Sequence, residues 1–175
     1  TIECIDRTEF DLAVETRVDA KHIYLLGVRS SAFLAGYLNF YFHLIFKNVT
    51  LVQSAAGEIF DQMLRIGPGD VLVGISFPRY SQIAVNAVRF GRDRGADVIA
   101  VTDSKMSPIY KMASASLLVS SDMISFVDSM AAPVSLLNAL IMAVGQQKSE
   151  ETAESFSELE RVWSQYGVFG DAEDE

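Results

Sequence analysis

Three short segments of this chain place hydroxyl side chains directly behind apolar, β-branched runs. Gly27-Val28-Arg29-Ser30-Ser31 follows Ile23–Leu26, and Ser76-Phe77-Pro78-Arg79-Tyr80-Ser81 follows Val71–Ile75. Thr102-Asp103-Ser104 follows Val98–Val101, with Ser107-Pro108 just beyond. Hydroxyls and free backbone N–H groups at a helix start hold a phosphate without a dense cluster of cations, because the helix dipole and the unpaired amides already favour an anion. Arg29 and Arg79 can add forked contacts, each hydrogen bond to a charged group being worth roughly 1.5–3 kcal/mol. One Ser or Thr at such a position is ordinarily only a cap. Three hydroxyl-bearing loops at one sheet edge instead outline an anion pocket. Its candidate ligand-binding residues are Arg29, Ser30, Ser31, Ser76, Arg79, Tyr80, Ser81, Thr102 and Ser104.

Other chemistries have fewer residues to work with. The only histidines are His22 and His43. His22 enters the first strand at its amino end, away from the loops above, and His43 lies late in an aromatic helix, where it reads as a satisfied or interface residue. Glu58, in Ala55-Ala56-Gly57-Glu58 after the second strand, is a candidate ligand contact and the one candidate general base; as a first-turn helix acid it also simply suits the dipole. Cys4 is the single cysteine, so no disulfide or thiolate metal site is expected within the chain. Neither a metal cluster, a cofactor motif nor a Ser-His-Asp arrangement is present.

The elements that must position these loops follow from periodicity. Ile23–Leu26, Val49–Val52, Val71–Ile75, Val98–Val101 and Leu117–Val119 read as five strands. Their unbroken apolar character marks a sheet covered on both faces. Strands alternating with helices imply right-handed crossovers and a parallel sheet, hence a doubly wound α/β sandwich. In such sheets a ligand sits beyond the carboxyl ends of the strands, where strand order reverses. Thr8 is the expected cap of a first helix with Phe10, Ala13, Val14 and Val18 on its inner face. Ser81 opens another helix, with Ile83, Ala87, Phe90 and Gly91 inward and Arg89, Arg92, Asp93 and Arg94 wet, and Gly95 ends it. Residues 149–166 form a final amphipathic helix docked on the domain or on a partner subunit, and 170–175 a disordered acidic tail.

The totals narrow the function further. The chain has 175 residues, half of them apolar, with 23 acids against 14 bases and a net charge of −9. That charge repels nucleic acid phosphates, so this segment by itself is a poor DNA binder. Ala32–Phe46 and Met130–Val144 are greasy, but each is near 15 residues, short of the roughly 20 of a membrane-spanning helix. Both read as buried helices or subunit contacts. A cytoplasmic domain without membrane association is expected.

Taken together and in order, these landmarks, with Gly67-Pro68-Gly69-Asp70 and Phe126-Val127-Asp128-Ser129 before Ala132-Pro133, resemble the SIS (sugar isomerase) domain. The resemblance runs from about Phe10 to Gly145. It is specifically to the carboxyl-terminal effector domain of RpiR/MurR-family bacterial transcriptional regulators. It implies a three-layer α-β-α sandwich with a five-stranded parallel sheet in the flavodoxin-like order 2-1-3-4-5, subunits paired through helices into a homodimer or tetramer, and a phosphorylated sugar as ligand. It places Ser30 and Ser31 in the first ligand loop and Ser76 and Ser81 in the second, phosphate-capping loop. The broader SIS pattern has glycine where Arg29 stands and Ser-Gly where Pro78-Arg79 stands; a regulator subgroup shares the arginines, which either grip a more acidic ligand or fill the pocket. Several SIS isomerases resemble the Glu58 segment but carry histidine three residues on, where this chain has Asp61. A single domain over residues 1–169 is therefore expected to sense a sugar phosphate and modulate DNA binding by a helix-turn-helix absent from this chain. Aldose–ketose isomerisation with Glu58 as base is the alternative.

Overall fold

The computed structural model describes residues 6–18, 20–53, 58–121, 123–124 and 127–169. Cys4, the Ala55–Gly57 stretch, Phe126 and the 170–175 tail lie outside them. Five strands build the main sheet: β1 (Ile23–Gly27), β2 (Val49–Val52), β3 (Val71–Ile75), β4 (Asp97–Thr102) and β5 (Ala115–Leu118). They pair in parallel in the order β2-β1-β3-β4-β5. Around them lie α1 (Arg7–Val18), α2 (Ser31–Ile45), α3 (Ile59–Gln62), α4 (Gln82–Asp93), α5 (Ala131–Gln147) and α6 (Ser149–Tyr166). A two-stranded antiparallel ribbon, β6 (Met123–Ile124) with β7 (Val127–Asp128), leads into α5.

The period of two along a strand divides the core. Ile23 and Leu25 of β1, Val71 and Val73 of β3 and Ile99 and Val101 of β4 face α1, α2 and α5. Tyr24, Leu26, Leu72, Val98 and Ala100 face α3 and α4. This is the two-sided burial that unbroken apolar strands require. The α2 segment buries Leu34, Ala35, Leu38, Phe42 and Ile45 against the sheet, and its Tyr37 hydroxyl donates to Asn138 Oδ1 of α5. That bond ties the two greasy helices together, Ser135 donates instead within its own helix, and no helix among the described residues is long and apolar enough to cross a membrane.

Several boundaries differ from the expectation. The first helix begins at Arg7, and its cap is Asp6 rather than Thr8: Asp6 Oδ1 accepts the amides of Thr8 and Glu9 at 3.0 and 3.3 Å. An ionised carboxylate satisfies two orphan donors where a hydroxyl would satisfy one. The fifth strand starts at Ala115, where its pairing with Ile99 of β4 begins, and its edge amide at Ser116 donates to Glu9 Oε2 at 2.7 Å. In α4 the buried stripe is Ala84, Val85, Ala87, Val88 and Gly91, with Ile83 and Phe90 at its partly buried margin. Gly95 does end that helix, at φ +89°.

One glycine decides where the first loop goes. A Cβ on Gly27 would lie 2.2 Å from the carbonyl oxygen of Ser31, so only glycine lets the strand end and the first turn of α2 meet. Gly27→Ala is expected to cost about 2–3 kcal/mol through forced displacement of that turn. Thermal unfolding should show a Tm lowered by roughly 5–10 °C.

Candidate functional site

The strand order places β1 beside β3, so their trailing loops face each other at the carboxyl edge of the sheet. Helix α2 starts from the first loop and α4 from the second, and both aim their amino termini at the gap. A small recess of about 40 Å³ lies there, lined by Arg29, Ser30, Ser31, Ser76, Arg79 and Ser81 with Val28, Ile75, Phe77, Pro78 and Ala84. On the far side of Arg29 an open trough of about 560 Å³ runs over Gly27, Ala32, Phe33, Leu51, Val52 and Gln53. Among the described residues no carboxylate lines either space.

The serines are not consumed by capping. Ser81 occupies the N-cap position of α4 with extended backbone, but its side chain makes no cap hydrogen bond. Ser31 and Ser76 are buried, yet neither hydroxyl has a partner among the described residues. Neither oxygen is among the fully enclosed polar atoms without a partner, so both hydroxyls can meet solvent or an anion in the recess they line.

Both arginines hold left-handed backbone, Arg29 at φ 59° and Arg79 at φ 62°. This conformation costs a residue with a Cβ roughly 1–2 kcal/mol relative to glycine. These are the two positions where the wider SIS pattern carries glycine, and the turn geometry explains it: each loop reverses through a left-handed residue before its helix begins. Both side chains are exposed, and neither has an ion-pair or hydrogen-bond partner among the described residues.

The remaining sequence candidates lie around the recess rather than on it. Thr102 is fully buried, and its Oγ1 donates to the Ser76 carbonyl at 2.7 Å, propping the second loop from below. Tyr80 donates its hydroxyl to Asp103 Oδ1 at 2.8 Å, tying the second loop to the end of β4. Burial first, and then the hydrogen bond and charge of Asp103, push the Tyr80 phenol up to about 12. Ser104 Oγ accepts the Met106 amide at 3.1 Å within its own turn. Ser107 and Pro108 precede a single 3-10 turn at Tyr110–Met112.

Glu58 is exposed at the start of α3 and lines neither space among the described residues. His22 bonds Thr50 Oγ1 at 2.8 Å at the opposite edge of the sheet. His43 borders a separate cavity of about 320 Å³ at that same edge, where Glu151 and Glu154 also stand; their carboxylates make it a poor anion site.

Sequence reasoning passed over Phe33, Gln53 and Asp103. Phe33 sits two residues past Ser31 and is 80% exposed, an aromatic at a wet first-turn position. Gln53 is pinned at the end of β2 by Gln62, which accepts its amide and donates to its carbonyl, both at 3.0 Å. Nothing in the linear pattern brings residue 53 next to residue 33. Among the described residues no cluster of His, Cys, Asp or Glu is arranged to hold a metal ion.

Comparison with known proteins gives a concordant picture. Residues 18–143 match the SIS domain family. The chain is 26% identical over 168 residues to an uncharacterized HTH-type transcriptional regulator of Caldanaerobacter subterraneus subsp. tengcongensis, a match that takes in 94% of this chain and 59% of the relative's length. The fold superposes on the sugar isomerase domain of an RpiR transcription factor from Sphaerobacter thermophilus with a TM-score of 0.86 at 22% identity, covering 91% of this chain and 89% of that one. It also superposes on the Vibrio vulnificus NanR protein complexed with ManNAc-6P, with a TM-score of 0.81 at 18% identity over 97% of this chain and 64% of that one. Other solved structures sharing the fold were assigned provisionally as sugar-phosphate isomerases.

Two stability measurements test the loop geometry. Arg29→Gly and Arg79→Gly relieve the left-handed cost but add chain entropy to the unfolded state, so each should be between neutral and about 1 kcal/mol more stable in denaturant unfolding. Tyr80→Phe should cost about 0.5–1.5 kcal/mol at neutral pH. The folded phenol keeps its proton to about pH 12, above the ordinary 10.0 of the unfolded one. The wild type's advantage over Tyr80→Phe is therefore full below pH 10 and declines as pH rises towards 12.

Proposed function

The chain belongs to the SIS domain family, and from that premise we propose that it is the ligand-sensing domain of an RpiR-type transcriptional regulator, taking a phosphorylated sugar at the carboxyl edge of its sheet. The observation that carries this reading is the convergence of four serines, Ser30, Ser31, Ser76 and Ser81, on one recess beneath two converging helix amino termini. A phosphate entering there accepts hydrogen bonds from those hydroxyls and meets the positive ends of α2 and α4. Arg79 borders the mouth. The sugar extends past Arg29 into the trough beside Phe33. Tyr80 and Thr102 act through the loop, which they hold in place, and Ser104 through the turn that follows β4.

The protein's regulatory output is the second half of the proposal. The chain spans 59% of the length of the regulator it matches, and a DNA-binding helix-turn-helix in a longer protein would read out the sensing event. Exposed Phe40 on α2 and the shallow surface that Met142 of α5 shares with Phe156 of α6 offer apolar area for pairing with a second copy, as a dimer or tetramer. Ligand that favours one arrangement of the paired subunits would shift operator affinity by its differential affinity for the two arrangements. The isomerase reading has support from the fold's isomerase-assigned relatives, but the only candidate base, Glu58, borders neither space among the described residues.

Thermal unfolding against a panel of sugar phosphates, amino-sugar phosphates and their unphosphorylated counterparts tests the reading. A specific ligand at 100 times its Kd should add about 2.7 kcal/mol and raise Tm by roughly 5–10 °C, with the matching free sugar inert. Ser76→Ala and Ser81→Ala should each weaken that ligand about 10- to 100-fold while leaving the unliganded Tm nearly in place. Unchanged affinity in both variants would remove the phosphate-loop assignment, and catalytic interconversion of an aldose and a ketose phosphate would establish an enzyme instead.

A further inference from the structure

We infer that the ligand carries a second anionic group on its sugar body, a carboxylate or a second phosphate, and that Arg29 recognises it. The inference rests on the phosphate-site reading above and goes further by naming the ligand's charge pattern.

The argument begins with space. The recess between the two loops, at about 40 Å³, has room for only a few waters, each needing roughly 10–15 Å³. Only the terminal group of a ligand enters it. That group meets Ser31 and Ser76, which are 5% and 4% exposed and have no side-chain partner among the described residues. Together with two helix amino termini these satisfy a phosphate by neutral donors.

Two cations remain. Arg79 borders the recess alone, whereas Arg29 borders both the recess and the 560 Å³ trough into which the body of the ligand must run. Neither guanidinium is in an ion pair among the described residues, in a chain with 23 acids and 14 bases. No carboxylate among the described residues lines either space. Each guanidinium is carried on backbone at φ near +60°, where a residue without a side chain would be at ease; strain of this kind tends to collect at ligand sites. An unpaired planar fork at the boundary between the phosphate recess and the sugar trough fits a second oxyanion held bidentately.

Binding of glucose 6-phosphate, 6-phosphogluconate and fructose 1,6-bisphosphate to the wild-type domain and to Arg29→Gly, by calorimetry at fixed salt, decides the matter. The glycine variant suits the loop's backbone, so it keeps the fold. At least one of the two-anion ligands should bind the wild type about 10-fold or more tighter than glucose 6-phosphate, and Arg29→Gly should collapse that ratio towards one. Glucose 6-phosphate binding as tightly as both others, or a preference that persists in Arg29→Gly, overturns the second-anion inference while leaving the phosphate site standing. Tighter binding of glucose 6-phosphate to Arg29→Gly overturns it as well, because the arginine then fills the trough. Failure of all three sugars to bind the wild type overturns the second-anion inference, while the sensor reading is decided by the wider sugar-phosphate panel.

Discussion

Where β1 stops, backbone meets backbone: a Cβ on Gly27 would fall 2.2 Å from the Ser31 carbonyl oxygen. That approach draws the first turn of α2 onto the end of the strand, and much of the candidate site follows from it. With α2 held so close, the chain must reverse within three residues. Arg29 takes a left-handed conformation to do so, and Ser30 and Ser31 are delivered to the sheet edge with their hydroxyls beside the gap to β3. The second loop reverses in the same way through Arg79, but it is held by side chains: Thr102 supports the Ser76 carbonyl, and Tyr80 reaches Asp103. One loop is shaped by a missing side chain and the other by hydrogen bonds from the next strand. The second arrangement is the more easily adjusted, since exchanging a hydrogen bond with water changes free energy less than overlapping two backbones.

Charge is distributed as sharply as geometry. In a chain of net charge −9, no carboxylate among the described residues lines the recess or the trough at the carboxyl edge of the sheet, where two arginines stand. At the opposite edge a larger cavity mixes Lys47 and Lys148 with Glu151 and Glu154, and Lys148 is already paired with Glu151 at 3.3 Å. Both edges contain ionisable groups, but only at the carboxyl edge do the cations line spaces without a carboxylate among the described residues. The helix dipoles reinforce the distinction, because right-handed crossovers in a parallel sheet direct the amino termini of α2 and α4 to the same edge.

Helix α2 is the element that the candidate site shares with the rest of the molecule. Its first residue, Ser31, lines the recess, its buried face fills the core against β1 and β3, and its outer side carries exposed Phe40 and packs against α6. The 15 residues of α2 thus run from the recess, through the core, to an exposed outer surface. Close-packed interiors transmit displacements because side chains have little free volume in which to absorb them.

The five strands, their parallel pairing and the edge at which a ligand belongs are all legible in the sequence. Unbroken β-branched runs separated by helical periods leave few other ways to bury both faces of a sheet, and Val49–Val52 and Val71–Ile75 coincide with the observed strands residue for residue. The hydroxyl loops are legible too, since Ser30, Ser31, Ser76 and Ser81 stand directly behind strands. Their division of labour is not. Thr102 and Tyr80 look like pocket residues in the linear pattern, but the strand register directs one into the core and the other onto Asp103, a partner 23 residues away. Asp6 replaced Thr8 as a cap because a carboxylate reaches two amides. Phe33 and Gln53 became neighbours only through the pairing of β1 with β2. Sequence determines which surfaces must be buried, because burial follows periodicity. Which polar groups are left unpaired, at Ser31, Ser76, Arg29 and Arg79, is decided by tertiary structure, because it depends on distances between residues that the chain itself keeps far apart.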